Sequence, residues 1–198
     1  MAKKDLNKIF LSASIPIKTK NQDFYKTADI IAIRDAVRAL ATVVIPHAHL
    51  IWGGHPSITP LIQFILEVLK VNPQNHITLY QSNFFENSFP KENESIENIV
   101  YTDKLVDEKA SVELLRRRML EENKFQAGIF IGGMDGVIEE YNLFRKLHSD
   151  ALLIPVASSG AASLEIFNSI SPKPDQRLLS DFAYMAMFRK LLKSIINQ

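Results

Sequence analysis

The stretch that most constrains this chain is Ala127 to Glu140, AGIFIGGMDGVIEE. Apolar Ile129, Phe130 and Ile131 run consecutively, break at Gly132-Gly133, pass Met134-Asp135-Gly136, and give way to Val137-Ile138 in helical rather than alternating rhythm. That order predicts a strand, a glycine turn and a helix. Glycines let the backbone approach a ligand closely, and the first N–H groups of a helix have no partner within it, so such a turn can receive a phosphate. Glu139 and Glu140 follow within about one turn, where the helix dipole stabilises a carboxylate that can reach a sugar hydroxyl or a water. A phosphate cradle beside carboxylates points to a nucleotide. The same residues also fit a plain strand-to-helix turn, with glycines for shape and glutamates as a solvated helix start.

The rest of the chain repeats the pattern. Ile9-Phe10-Leu11 predicts a first strand that hands over to Ser12-Ala13-Ser14. His49 to Trp52 predicts a second, followed by Gly53-Gly54-His55 and a helix that Thr59-Pro60 would open. Further strands are expected at Ile77 to Tyr80, Asn98 to Tyr101 and Leu152 to Val156, the last ending in Ala157-Ser158-Ser159-Gly160. Helical spacing covers Ile30 to Val44, Val106 to Asn123 and Leu178 to Ile196. Residues 17–28 read as a polar loop, and Gln81 to Glu97 as a surface loop or lid.

Short strands alternating with helices predict a single α/β domain, a Rossmann-like three-layer fold with a mainly parallel sheet. Their carboxyl ends would then share one edge, where open sheets bind ligands. The ligand-binding candidates collected there are Ser12, Ser14, Gly53, Gly54, His55, Gly132, Gly133, Met134, Asp135, Gly136, Val137, Glu139 and Ser158. GxGxxG and GxxxxGK[ST] are both absent, so dehydrogenase and ATPase assignments lack their fingerprints.

Composition excludes other classes. With 23 basic against 22 acidic residues, the net charge of +1 creates no field that would draw the chain to nucleic acid, which is not an expected partner. Zero cysteines rule out disulfides, thiolate catalysis and cysteine-ligated metals. His47, His49 and His55 lack carboxylate or cysteine companions at ligand spacing, so neither a metal nor a cofactor is expected. No apolar run approaches the roughly 20 residues of a spanning helix. Met1-Ala2-Lys3-Lys4 is followed by Asp5, Asn7 and Lys8 rather than a signal-peptide core, so a cytoplasmic protein is expected. The apolar Leu178 to Ile196 segment would cover the sheet or meet a second subunit, and a homodimer or larger assembly is expected.

With these motifs placed, the chain resembles the SLOG superfamily, the Rossmann-like group named for Smf/DprA and Lonely Guy proteins, including its small prokaryotic defence-associated members. The resemblance runs from about Ile9 to Ser159. Ile9 to Ser14 looks like the family's first strand and small-residue turn, and Trp52-Gly53-Gly54 is similar to its second glycine loop. Gly132 to Glu140 looks like a degraded PGGxGTxxE motif of the Lonely Guy phosphoribohydrolases, in which Gly133, Gly136 and Glu140 match. Gly132, Met134 and Val137 stand where that motif has proline, glycine and threonine, and Val137 has no hydroxyl to offer a phosphate. Gap-free counting places the family's upstream arginine at Arg117, whereas the apolar register of the helix favours Arg116.

In those enzymes an arginine and the motif glutamate are implicated in cleaving the bond between base and ribose 5′-monophosphate. The resemblance therefore implies Glu140 with Arg116 or Arg117 as catalytic candidates. It implies a nucleotide or nucleotide-derived ligand that is bound or sensed. The alternative is N-glycosidic hydrolysis of nucleoside 5′-monophosphates or an NAD-related compound, and a third class is an interaction module with a vestigial pocket.

Overall fold

Six apolar runs build one sheet: β1 (Lys8–Ser14), β2 (His49–Gly53), β3 (Ile77–Ser82), β4 (Ile99–Thr102), β5 (Phe125–Gly132) and β6 (Leu152–Val156). The computed structural model describes residues 6–69 and 76–197, so the N-terminal Met1-Ala2-Lys3-Lys4-Asp5 read above lies outside the described residues. Every neighbouring pair of strands is parallel, in the order β4-β3-β2-β1-β5-β6. The chain steps outward from β1 to β4, then returns to the far side of β1 for β5 and β6. The winding therefore reverses between β1 and β5, and such a reversal leaves a crevice at the carboxyl ends of the two strands.

The helices are α1 (Gln22–Thr27), α2 (Ile30–Val44), α3 (Thr59–Leu69), α4 (Glu108–Glu121), α5 (Asp135–Leu147), α6 (Ala161–Ser169), α7 (Arg177–Ser180), α8 (Tyr184–Leu191) and α9 (Lys193–Ile196). Alternation along the strands divides the core between two faces. Ile9, Leu11, Leu50, Trp52, Ile129 and Ile131 pack with residues of α2, α3 and α8. Phe10, Ile51 and Phe130 pack with residues of α4, α5 and α6. Because both faces are covered, the strands read as continuous apolar runs in the sequence.

Helix starts explain where free backbone groups remain. Asp29 caps α2 by accepting from the Ala32 N–H at 2.9 Å, and Asp107 caps α4 by accepting from the Ala110 N–H at 2.7 Å. Met134 precedes α5 and supplies no side-chain cap, so this helix opens uncapped at the point where the winding reverses.

Three segments differ from the sequence expectation. Residues 17–28 contain α1, which Asn21 starts by accepting from the Asp23 and Phe24 N–H groups while Phe24 anchors it in the core. Its polar surface hid that single anchor. The excursion after the third strand is partly ordered: β3 runs to Ser82 and two 3₁₀ turns follow at Asn83–Ser88 and Lys91–Ser95. The expected C-terminal helix is broken into α7, α8 and α9, with the Asp181 carboxylate accepting from the Ala183 N–H at 2.7 Å in a local turn that competes with helix. Tyr184, Met187, Phe188 and Leu192 are buried in the chain's own core beside α2, so these residues give no argument for a second subunit. Among the described residues no helix is long and apolar enough to cross a membrane.

The α5 face of the sheet is held by rings. Phe144 stacks on Phe10 at 5.4 Å and meets Phe130 edge-on at 5.9 Å, while a Cβ added to Gly128 would lie 2.7 Å from the Phe144 ring. Gly128→Ala is therefore expected to overpack this layer and cost about 1–3 kcal/mol. Urea titration checks it as a lowered midpoint at constant slope; an unchanged midpoint would mean that Phe144 is not seated on the strand.

Candidate functional site

Glu140 lies one helical turn before Phe144 on α5, and Ser12 lies two residues beyond Phe10 on β1, so the contact between the two rings sets the next pair face to face. The Ser12 hydroxyl donates to Glu140 Oε2 at 2.5 Å. Arg116 Nε donates to Glu140 Oε1 at 3.3 Å, and Arg116 Nη1 donates to the Glu139 carboxylate. The Arg116 and Glu140 side chains are each 17% exposed, whereas Glu139 is 63% exposed. Arg117 turns outward instead and pairs with Glu113 one turn back on its own helix. Helical register, not gap-free counting, thus identifies the arginine that meets the glutamate.

Arg116 and Glu140 line a cleft of about 640 Å³ over the carboxyl edge of the sheet. Ser14, Gly53, Gly54, His55, Met134, Gly136 and Val137, all expected from the sequence, line it too. Ser12 joins them through its bond to Glu140, and Glu139 through its bond to Arg116. Among the lining residues that sequence reasoning missed are Lys20, Ser57, Gln81, Phe85, Glu108 and Val112. For Gln81 the signal was present: the carboxyl-edge rule that selected Gly53 applies to it once β3 is extended past Tyr80.

Four of the expected residues play other parts. Gly132 and Gly133 adopt φ of +57° and +89°, which explains the glycines. Their N–H groups are already bonded, Gly132 to the Ser159 hydroxyl at 2.9 Å and Gly133 to the Ser14 carbonyl at 2.8 Å. The phosphate cradle expected from these two groups is therefore closed, and the uncapped start of α5 is what faces the cleft. Asp135 is exposed and accepts from Asn21 Nδ2 at 3.2 Å. Ser158 donates to the Asp181 carbonyl at 3.2 Å and meets the Tyr184 hydroxyl at 3.1 Å, so it faces the C-terminal segment rather than the cleft.

Gly136 has a steric reason. A Cβ there would lie 2.7 Å from Arg116 Nη2, so its absence lets the guanidinium cross the first turn of α5. The lining carries Lys20 and Arg116 against Glu108 and Glu140, a balanced set. An incoming anion would have to take Arg116 from Glu139.

His55 is no cation here. Its Nδ1 accepts from the Ser57 backbone N–H at 3.2 Å and lies 2.8 Å from the Ser57 hydroxyl. A backbone N–H can only donate, so the neutral ring carries its proton on Nε2. Burial first, and the Lys20 charge second, push its pKa down to about 4. Among the described residues no group of three or more His, Cys, Asp or Glu side chains could hold a metal ion.

A fully parallel sheet whose winding reverses beside β1, with a cleft at that reversal, defines a Rossmann-like α/β protein. The chain matches the SLOG cluster3 family over residues 23–192 and belongs to that family. Among solved structures, the X-ray structure of TM1055, a structural genomics target, is similar with a TM-score of 0.54 and 14% identity, over 87% of this chain and 89% of that chain. At that identity the likeness shows the fold alone. No curated protein matches the chain.

The histidine gives a pH test. Unfolded His55 takes up a proton near its ordinary 6.5 and the folded residue only near 4, so the unfolded state binds more protons between those values and stability falls as pH drops through them. His55→Gln is expected to flatten that decline. Denaturant midpoints of both proteins between pH 7 and pH 4 check it, and parallel curves would show that the imidazole is not held neutral.

Proposed function

We propose that the chain is a single nucleotide-binding domain that holds a nucleotide or nucleotide-derived ligand in the carboxyl-edge cleft. The observation that carries this reading is the hydrogen-bonded series Ser12, Glu140, Arg116 beside the uncapped start of α5. Arg116 is the phosphate partner. Its guanidinium offers a planar fork of donors, and the Glu139 carboxylate it now holds is largely exposed, so exchanging that for a ligand phosphate forfeits only a weak surface pair. Glu140 accepts one bond at each oxygen and keeps lone pairs for ribose hydroxyls. Leu11, Ile15, Leu115 and Val137 provide apolar wall for a sugar or a ring.

A second reading, N-glycosidic hydrolysis, is favoured by one observation: Glu140 and Arg116, two of the catalytic candidates that the resemblance implies, are in contact. In that reaction Glu140 would stabilise an oxocarbenium-like sugar or position a water, and Arg116 would balance charge on the phosphate or leaving group. Binding is preferred because it needs only the cleft, whereas Val137 stands where the resembling enzymes have a hydroxyl.

Incubation of the full chain with nucleoside monophosphates and with NAD, followed by melting temperature and assay of free base, tests both readings. A nucleotide is expected to raise the melting temperature, Arg116→Gln to remove that rise, and Arg117→Gln to leave it intact. Base release that disappears in Glu140→Gln would transfer the assignment to hydrolysis. No shift and no release with any of these compounds would overturn both.

A further inference from the structure

Gln81 stands on β3, one residue before its carboxyl end, and lines the same cleft as Arg116 and Glu140. The residue is 4% exposed, yet its Oε1 is shielded from water and has no hydrogen-bond partner. A buried amide oxygen left unpaired costs free energy, which makes this atom an exception among buried polar groups. The amide lies against Gly54, where an added Cβ would fall 1.6 Å from Oε1; a glycine at 54 is what allows the side chain to rest there. Gly54 lines the cleft as well, so the unpaired amide sits at its edge.

The surroundings of this amide differ from those of Arg116. Phe85 and Pro90 supply a ring and an apolar edge on the lid side. Strand order puts β3 three spacings from β5, or about 14 Å at roughly 4.8 Å each, so the amide end and the start of α5 mark opposite ends of one elongated site. One end is charged and contains the carboxylate and guanidinium. The other has an apolar wall and an amide that offers a donor beside an acceptor. A glutamine amide is complementary to an amino group next to a ring nitrogen, the edge through which glutamine pairs with adenine.

We infer that Gln81 reads the amino-bearing edge of an adenine-type base whose sugar and phosphate lie toward Glu140 and Arg116. This rests on the nucleotide-binding reading above and adds the orientation of the ligand and the residue that selects its base. Oε1 accepts from the exocyclic amino group, Nε2 donates to the neighbouring ring nitrogen, and Phe85 closes over the ring.

Calorimetric titration of the full chain with AMP and with purine riboside 5′-monophosphate, which lacks only the amino group, tests the inference. AMP is expected to bind at least about tenfold more tightly, and Gln81→Leu to abolish that preference by lowering AMP affinity more than the analogue's own. Equal affinities in the unmodified protein would overturn the role of Gln81 and leave nucleotide binding standing. A preference for AMP that survives in Gln81→Leu would also overturn it. Binding of neither compound would overturn the adenine assignment, and the wider panel of nucleoside monophosphates and NAD above then decides the nucleotide-binding reading. Gln81→Glu, which keeps the side chain's size and acceptor but removes the amide donor, is expected to weaken both ligands, and serves as the second variant if the leucine protein does not fold.

Discussion

The packing of α5 on β1 sets the geometry on which the rest of the cleft depends. Four residues of helix rise about 6 Å, and two residues of strand advance about 6.6 Å, so an antiparallel helix lying on a strand can keep two successive contacts in step. Here the lower contact is apolar, Phe144 on Phe10, and the upper one is polar, Glu140 on Ser12. The aromatic layer excludes water and fixes the helix along its axis. The polar pair is thereby placed at the mouth of the crevice with little freedom left to either side chain. A slip of the helix by one residue would turn Glu140 away from the strand by about 100°, a consequence of 3.6 residues per turn.

Electrostatics at that mouth are nearly self-cancelling. Arg116 answers Glu140 and Glu139 together, and the lining adds Lys20 against Glu108. The cleft is therefore not a simple anion trap of the kind that a glycine loop at a helix start suggests. An arginine held between a shielded carboxylate and an exposed one is instead poised for exchange: the Glu140 contact orients it, and the Glu139 contact is the weaker one to replace. Ligand charge would then be met by partner exchange rather than by a standing positive field.

Much of the architecture was legible in the sequence because burial on both faces makes parallel strands visible as apolar runs, and glycines and serines punctuate their ends. The family assignment followed from the same loops, and the family match extends through α8, well past the motifs that suggested it. What the sequence hid was tertiary. Helix α1 has one buried anchor, Phe24, too little for a periodic signal. The two glycines of the central turn look like a phosphate cradle until Ser159, which comes from a distant loop, and the Ser14 carbonyl are seen to occupy their N–H groups. Gap-free counting and helical register disagreed over Arg116 and Arg117, and register prevailed because the apolar stripe of α4 is what packs against the sheet.

The departure of the central motif from the Lonely Guy pattern it resembles has a packing explanation. A Cβ at Gly133 would lie 2.3 Å from Val137 Cγ2, so the valine side chain rests directly over the glycine turn, and it is 4% exposed within the aromatic layer. A threonine at this position would bring a hydroxyl into that contact, next to a turn whose N–H groups are already bonded. The valine therefore fixes the first turn of α5 by apolar packing, in place of the capping side chain that Met134 does not provide. Without a hydroxyl there, the proposed recognition of a phosphate at this end would fall to Arg116, whose reach across Gly136 depends on the absence of a side chain at that glycine. The valine, the glycine and the arginine form one coupled arrangement, so changing any one of them alters the start of the helix that the other two share.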